Sequence, residues 1–311
     1  MTIDTTRGIA GLKGALRYVR AYRDHTFVVK LGGDVLADTE ALARVAGQLG
    51  LLSSLSIRVV VVHGGGPQAS ALSRRLGSEP QMIAGRRVTD DAALEVVKMV
   101  YAGSLNVNLL SALRAHDIQA VGLSGVDGEL LTAHRRPPVA VRDDAGVTRT
   151  VDYGHVGDIE RVDPRVLTTL LDARFVPVIA SLAGDSDGNV YNVNADTVAE
   201  SLAVALKAQK LIFLTGAPGV LRDRNDHSSL VTFADPDDLA SLMASGSLSG
   251  GMRPKVEACI RAATGGVERT HIIDGRAPDS LLLEVFTGAG LGTMIVGRKE
   301  KATYLGVDLA T

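Results

Sequence analysis

Phe27-Val-Val-Lys-Leu-Gly-Gly33 decides how this chain is read. It has the form of a short buried strand carrying one basic residue, with two glycines where the strand ends. Val59-Val-Val-Val-His-Gly-Gly-Gly66 repeats the plan. Two apolar strands that both run out into glycine predict neighbouring strand ends in a parallel sheet. In open α/β sheets, ligands sit just beyond the carboxyl ends of the strands. Glycine has no Cβ, so backbone N–H groups at such an end can come close to an anion. Lys30 adds a full positive charge at the same rim. Together these features form an apparatus for phosphate.

The composition bounds the rest. The chain has 311 residues, enough for one large α/β unit or two lobes, and 46% of them are hydrophobic. Aromatic residues are only 4% and Trp is absent, so the core must be aliphatic. A formal charge of -2 does not suggest nucleic acid or an anionic membrane as the main partner. A single cysteine, Cys259, allows no internal disulfide. No apolar run approaches the roughly 20 residues of a membrane span. The first residues lack the charged-then-apolar plan of a secretory signal. The expected location is cytoplasmic.

Strands alternate with helices along the chain, which predicts a mostly parallel sheet with helices on both faces. Leu12, Leu16 and Val19 fall at helical spacing before the first strand. They describe either a helix packed on its own domain or an arm that packs on another subunit. Pro67 suits the first turn of the helix after Gly66. Thr89 or Asp90 can cap a helix running through Leu94, Val97 and Tyr101, and a second helix is predicted from about Leu105 to His116. The stretch 134–150 reads as a hairpin or exposed loop. Asp185-Ser-Asp-Gly-Asn189 reads as a tight turn, its glycine being one place early for a calcium loop.

The common nucleotide signatures are absent. There is no Gly-x4-Gly-Lys-Ser/Thr, no Gly-x-Gly-x-x-Gly after the first strand, no protein-kinase set and no Gly-x-Ser-x-Gly elbow. His63, His134, His155 and His271 are scattered, and each alone reads as structural. Several polar residues stand at element ends: Lys30, Arg87, Asn192, Asn194, Asp196 and Lys255. Phosphoryl transfer needs alignment and charge neutralisation more than covalent work from the protein. Two lysines reaching in from opposite sides, with Asp196 between them, would supply that. A surface role is the default for a lysine, but Lys30 resists it because it follows Phe-Val-Val in a central strand. Arg87 is suited to a two-pronged grip on a carboxylate; its simpler reading is a surface charge beside Arg86.

Lys30-Leu-Gly-Gly33, His63-Gly-Gly-Gly66, Gly85-Arg-Arg-Val-Thr-Asp90, Gly154-His-Val-Gly-Asp158, Asn192-Val-Asn-Ala-Asp196 and Gly250-Gly-Met-Arg-Pro-Lys255 occur in this order. The ordered set resembles the amino acid kinase family, and within it the members that phosphorylate N-acetyl-L-glutamate. The match runs from about Phe27 to Val296. The resemblance implies an open, mainly parallel eight-stranded sheet sandwiched between helices, in two lobes. An N-lobe over 26–190 would bind the amino acid and form a dimer, a C-lobe over 191–311 would bind ATP, and 1–25 would be an appended oligomerisation helix. Lys30 and Lys255 would act on the moving phosphoryl group, with Asp196 organising them. Gly65, Gly66, Arg87, Asn192 and Asn194 would hold the amino acid. Gly32, Gly33, Gly64, Thr215 and Gly219 would serve the phosphates of ATP. Mg2+ would arrive with the nucleotide, with no metal ligand from the protein. The substrate γ-carboxylate is already ionised at neutral pH, so no general base is required.

Ala15-Leu-Arg-Tyr-Val19 also resembles the extra helix of arginine-inhibited members, in which dimers join into a ring-shaped hexamer. The resemblance then implies an L-arginine site at Tyr18, His271, Glu284 and Gly290, and leaves room for a PII-type signalling protein outside the ring. Two departures stand out: Gly216 replaces an Asp common after this Thr, and Ser104-Leu-Asn106 replaces Lys-Val-Asn. At this length no appended acetyltransferase domain is expected. The alternatives are a kinase for another N-blocked or carrier-linked acidic amino acid, and a non-catalytic arginine or nucleotide sensor.

Overall fold

The two glycine-ended strands are neighbours. In the computed structural model, which describes residues 16–142, 148–246, 248, 250–287 and 290–297, Lys30 pairs in parallel register with Val62 and Leu31 with His63. Residues 16–22 are helical (α1). Then follow β1 (Thr26–Leu31), α2 (Gly33–Ala37), α3 (Thr39–Ser54), β2 (Arg58–His63), α4 (Gly66–Arg75) and the hairpin β3 (Met82–Ile83)–β4 (Arg86–Arg87). Next come α5 (Asp91–Lys98), a π-helical turn (Met99–Leu105), α6 (Asn106–Arg114), β5 (Ala120–Ser124), β6 (Leu131–Arg135), the hairpin β7 (Val139–Arg142)–β8 (Thr148–Val151), β9 (Gly157–Val162) and α7 (Arg165–Asp172). The chain continues through β10 (Val176–Ala180), β11 (Leu182–Gly184), β12 (Val190–Asn192), α8 (Ala195–Ala205) and β13 (Lys210–Thr215). It ends with β14 (Phe233–Ala234), α9 (Pro236–Ala244), α10 (Met252–Thr264), β15 (Arg269–Asp274), α11 (Ser280–Phe286) and β16 (Thr293–Val296).

Eight strands form the main sheet in the order β14-β16-β15-β13-β1-β2-β10-β5. It is parallel except that β16 runs antiparallel to β15 and carries β14 with it. A smaller sheet, β12-β11-β6-β9, stands beside it. The expected eight-stranded, mainly parallel architecture is therefore present.

Strand alternation divides the core into two layers. Val28 of β1, with Leu211 and Phe213 of β13, packs under Val198, Ala199 and Leu202 of α8 and Val256 and Cys259 of α10. Phe27, Val29 and Leu31 face the other way, toward Val45 and Leu49 of α3, Leu109 of α6 and Leu281 of α11. Lys30 belongs by parity to the first layer. Lys210 and His271 belong to the second.

Local chemistry sets the helix starts. Asp90 accepts from the Ala93 amide at 2.8 Å and caps α5, and Pro67 lies in the first turn of α4. Asp185 accepts bonds from the Asp187 and Asn189 amides, the Asn189 side chain and the Tyr191 hydroxyl, so the stretch is the expected turn. The two helices predicted over 90–116 are instead one helix of 24 residues, Asp91–Arg114, joined through the π turn. Gly103-Ser104 does not break it, because the wider turn absorbs the extra residue. By length and apolarity this helix would suffice to cross a membrane, yet Val97, Leu109 and Leu113 are fully buried within the fold.

Candidate active site

A cleft of about 690 Å³ opens at the carboxyl ends of β1 and β2. Helices α4 and α8 begin at it, with Gly66 and Ala195 in its wall. The N-terminal end of a helix carries unpaired N–H groups and a partial positive charge, so this geometry favours an anion.

Lys30 is buried, and its face of the sheet is covered by α8. The first turn of that helix carries Asp196, and Lys30 Nζ lies 2.7 Å from Asp196 Oδ1. The first turn of α10 brings Lys255, whose Nζ donates to Asp196 Oδ2 at 3.2 Å and to the Gly251 carbonyl at 3.1 Å. Burial works to raise the Asp196 pKa, but the two lysines outweigh it and hold the carboxyl below its ordinary value. Burial pulls the Lys30 ammonium below its ordinary value; Asp196 opposes this and Lys255 adds to it. Two ammonium groups share one carboxylate, which leaves one positive charge in excess. Lys255 is not in the cleft wall itself; its neighbours Pro254, Glu257 and Arg261 are.

Arg87 lies on β4, at the other end of the cleft, and is largely buried. Its Nη2 donates to the Gly66 carbonyl at 2.8 Å and to Ser70 Oγ, so it is no loose surface charge. Asn192 lines the same region and donates to Thr89 Oγ1 at 3.2 Å. Asn194 also lines the cleft, but its Oδ1 accepts from the Asp196 and Thr197 amides and caps α8. That oxygen is committed to the helix.

Gly33, Gly64, Gly65 and Gly66 are in the wall as expected. Gly32, Thr215 and Gly219 are not. The Gly32 N–H, expected to meet phosphate, donates to the Leu214 carbonyl at 2.8 Å and is tied into the sheet. The Thr215 hydroxyl closes a turn with the Ala217 amide and carbonyl. Gly219 has φ +154 and packs against Thr293 and Leu230. A Cβ at Gly216 would lie 2.5 Å from Asp34 Oδ2, so the Asp34 carboxylate stands where a side chain at position 216 would begin.

Several residues of the site were not legible beforehand. His63 is buried, with Nδ1 2.9 Å from the Gly64 carbonyl and Nε2 3.1 Å from Asn106 Nδ2. The amide can only donate to Nε2, so the proton is on Nδ1 and is donated to Gly64. Burial pulls the His63 pKa down to about 4, which keeps the ring neutral. A trans peptide points N–H opposite to C=O. With the Gly64 carbonyl turned toward His63, the Gly65 N–H is directed away from it. Arg136 also lines the cleft, held by paired bonds to Asp158 at 3.0 and 3.1 Å from Nε.

A second buried ionic cluster lies on the opposite face of the sheet. Lys210 Nζ is 3.1 Å from His271 Nε2, and His271 Nδ1 is 2.7 Å from Glu284 Oε1. Glu284 Oε2 accepts the Leu291 amide at 2.7 Å. Lys210 sits 5.1 Å from the centre of the Tyr22 ring, which stacks on Tyr18 at 6.1 Å. Gly290, with φ +52, approaches the Glu284 carboxylate. Tyr18, His271, Glu284 and Gly290 thus belong to one neighbourhood, to which Lys210 is an addition that sequence reasoning missed.

Among the described residues, no group of three or more His, Cys, Asp or Glu is arranged to hold a metal. In the cleft, both oxygens of Asp196 face lysines.

Known proteins resemble this chain over most of its length. The acetylglutamate kinase of Myxococcus xanthus is 51% identical over 289 residues, 92% of this chain and 94% of that protein. An N-acetylglutamate synthase from Neisseria gonorrhoeae, solved with coenzyme A and N-acetyl-glutamate, superposes with a TM-score of 0.78 at 30% identity. That match covers 93% of this chain and 63% of the synthase chain, so the chain spans less than two thirds of the synthase. The same synthase solved with coenzyme A and L-arginine gives a TM-score of 0.76 at 28% identity, over 93% of this chain and 65% of that one. The profile of the amino acid kinase family matches residues 25–274. With the family profile matching most of the chain and a relative 51% identical over nearly all of it, the chain belongs to the amino acid kinase family.

Proposed function

We propose that this protein transfers the γ-phosphoryl group of MgATP to the γ-carboxylate of N-acetyl-L-glutamate. The observation that carries the reading is the Lys30–Asp196–Lys255 arrangement at the cleft. Its surplus positive charge matches a migrating phosphoryl group, whose negative charge must be neutralised as it moves. The 51% identity to an acetylglutamate kinase over nearly the whole chain supports the choice of substrate.

In this mechanism the ionised carboxylate forms the new O–P bond as the bond to ADP breaks, and no proton is moved. Lys30 and Lys255 stabilise the phosphoryl oxygens from two sides. The Gly65 amide adds a neutral donor. Arg87 takes the α-carboxylate, and Asn192 takes the N-acetyl end. The 26–190 lobe, joined by Asn192 at the start of the next, binds the amino acid, and the 191–311 lobe binds ATP. Magnesium enters on the nucleotide phosphates, as it does where a protein offers few carboxylates of its own. The setting is the cytoplasm, where arginine biosynthesis would use the acyl phosphate.

A coupled ADP-release assay over N-acetylglutamate, N-succinylglutamate, aspartate and glutamate tests the reading. Acetylglutamate should be much the best acceptor. If no acidic amino acid stimulates ADP release, the reading fails, and a preference for a carrier-linked acid would move it to that alternative.

L-arginine is a second ligand by this reading. Tyr18, His271, Glu284 and Gly290 are gathered around a carboxylate suited to a guanidinium, although Glu284 is already engaged and would have to be shared. Arginine titrated into the assay should inhibit; a flat titration removes the idea. The helix Asp91–Arg114 exposes Met99 and Val107, which suits a homodimer contact. Trimerisation of such dimers through 1–25 would give a hexamer whose outside could receive a PII-type protein.

A further inference from the structure

Ser181 joins β10 to β11 and is 1% exposed. Its backbone is fully used: its N–H donates to the His63 carbonyl at 3.1 Å, and its carbonyl accepts the Val193 amide at 3.2 Å. Its hydroxyl has no hydrogen-bond partner among the described residues. A buried hydroxyl without a partner costs free energy, so folded proteins rarely leave one. Of the other buried polar side-chain atoms without a hydrogen-bond partner among the described residues, only Asp196 Oδ1 also belongs to the cleft wall, and it is already neutralised by Lys30 Nζ at 2.7 Å; Gln68 Oε1, Thr270 Oγ1 and Ser280 Oγ belong to residues away from it. Ser181 is in that wall, among Gly64, Ala195 and Asp196. A Cβ built on Gly64 would lie 3.7 Å from Ser181 Oγ. The hydroxyl therefore stands where the end of β2 meets the start of α8.

We infer that the Ser181 hydroxyl is a ligand-binding donor that is satisfied by an anionic oxygen at the phosphoryl-transfer centre. A hydroxyl suits this place because it donates without adding charge to a site already one positive charge in excess. Its position, next to Gly64 and the start of α8, assigns it to the reacting end. The inference rests on the phosphoryl-transfer reading above.

The test compares Ser181→Ala and Ser181→Cys with wild type. A hydrogen bond to a charged acceptor supports a kcat loss of about 10- to 100-fold, with KM for both substrates changed less than about threefold if the bond matters most in the transition state. The ligand-free Tm should stay level or rise in Ser181→Ala, because an unpaired buried hydroxyl has been removed. A structural hydroxyl, bonded to an ordered water, would do the reverse: Tm would fall and kcat would hold. That outcome overturns the inference, as does a kcat within threefold of wild type in both variants. A wild-type enzyme that releases no ADP would instead overturn the functional reading. Ser181 would then be judged by inorganic phosphate, which should raise the Tm of wild type more than that of Ser181→Ala; an equal rise rejects it.

Discussion

Lys30 and Lys210 stand on adjacent strands, and both are buried. One is near the carboxyl end of β1 under α8; the other opens β13 on the opposite face, against Tyr22 and near α11. The charge sums differ. Lys30 and Lys255 share Asp196, so two positive charges less one negative leave one positive. Lys210 and Glu284 balance each other across a neutral His271. The first group borders a cleft and is incomplete without an anion, whereas the second is closed by its own partners. Burial of ionic groups alone therefore does not mark the reacting centre; the uncompensated charge beside open space does.

The severest way to break this contrast is Asp196→Asn, which strands two ammonium groups together. Removing one partner of a buried pair costs about 3–5 kcal/mol, so chemical denaturation should show a large loss of stability along with lost activity. Lys30→Ala or Lys255→Ala should lower kcat by about 10²–10³, the usual loss for one charge-stabilising donor. Tm should suffer little in Lys255→Ala, because the surplus charge has gone, whereas Lys210→Met unbalances Glu284 and should lower Tm. If steady-state kinetics and melting rank these two variants the other way, the charge count is misassigned.

Acid pH should touch both regions. Burial lowers His63 and His271 to about 4 from the ordinary 6.5. Between those values the unfolded chain binds protons that the folded chain refuses, so stability is full above pH 6.5 and falls toward pH 4. Each histidine contributes about 3 kcal/mol of this slope. Melting curves over that range should flatten in part for His63→Asn and in part for His271→Gln. The smallest expected effect is Arg87→Lys, which loses the two-pronged grip and should raise KM for the amino acid by about tenfold with kcat held. A fall in kcat at unchanged KM would place Arg87 with the lysines instead.

The strands, the parallel order and the lysine pair could be read because apolar runs ending in glycine report local geometry. Asp196 announced itself through its place at a helix start. What could not be read depends on contacts across the chain. Nothing near Asn106 tells that a π turn aims it at His63, 43 positions away. Arg136 and Asp158 meet only through the pairing of β6 and β9. Gly32 was assigned to phosphate because it sits in the right motif, yet the partner of its amide, Leu214, lies on another strand. Asn194 was ambiguous for a different reason: an asparagine before a helix serves equally as a cap or as a ligand, and here it lines the cleft while its oxygen caps.

The π turn also constrains how the sequence can drift. It presses Leu105 and Tyr101 against Gly65, where an added Cβ would run into Leu105 Cδ1 and come within 2.9 Å of the Tyr101 ring. Position 65 is thus locked from behind as well as by what it presents to the cleft. Alanine there would require the Leu105 methyl and the Tyr101 ring to move aside. The three positions should be coupled, and a saturation library at 65 in this background should favour glycine, with larger residues enriched only when position 105 is made smaller.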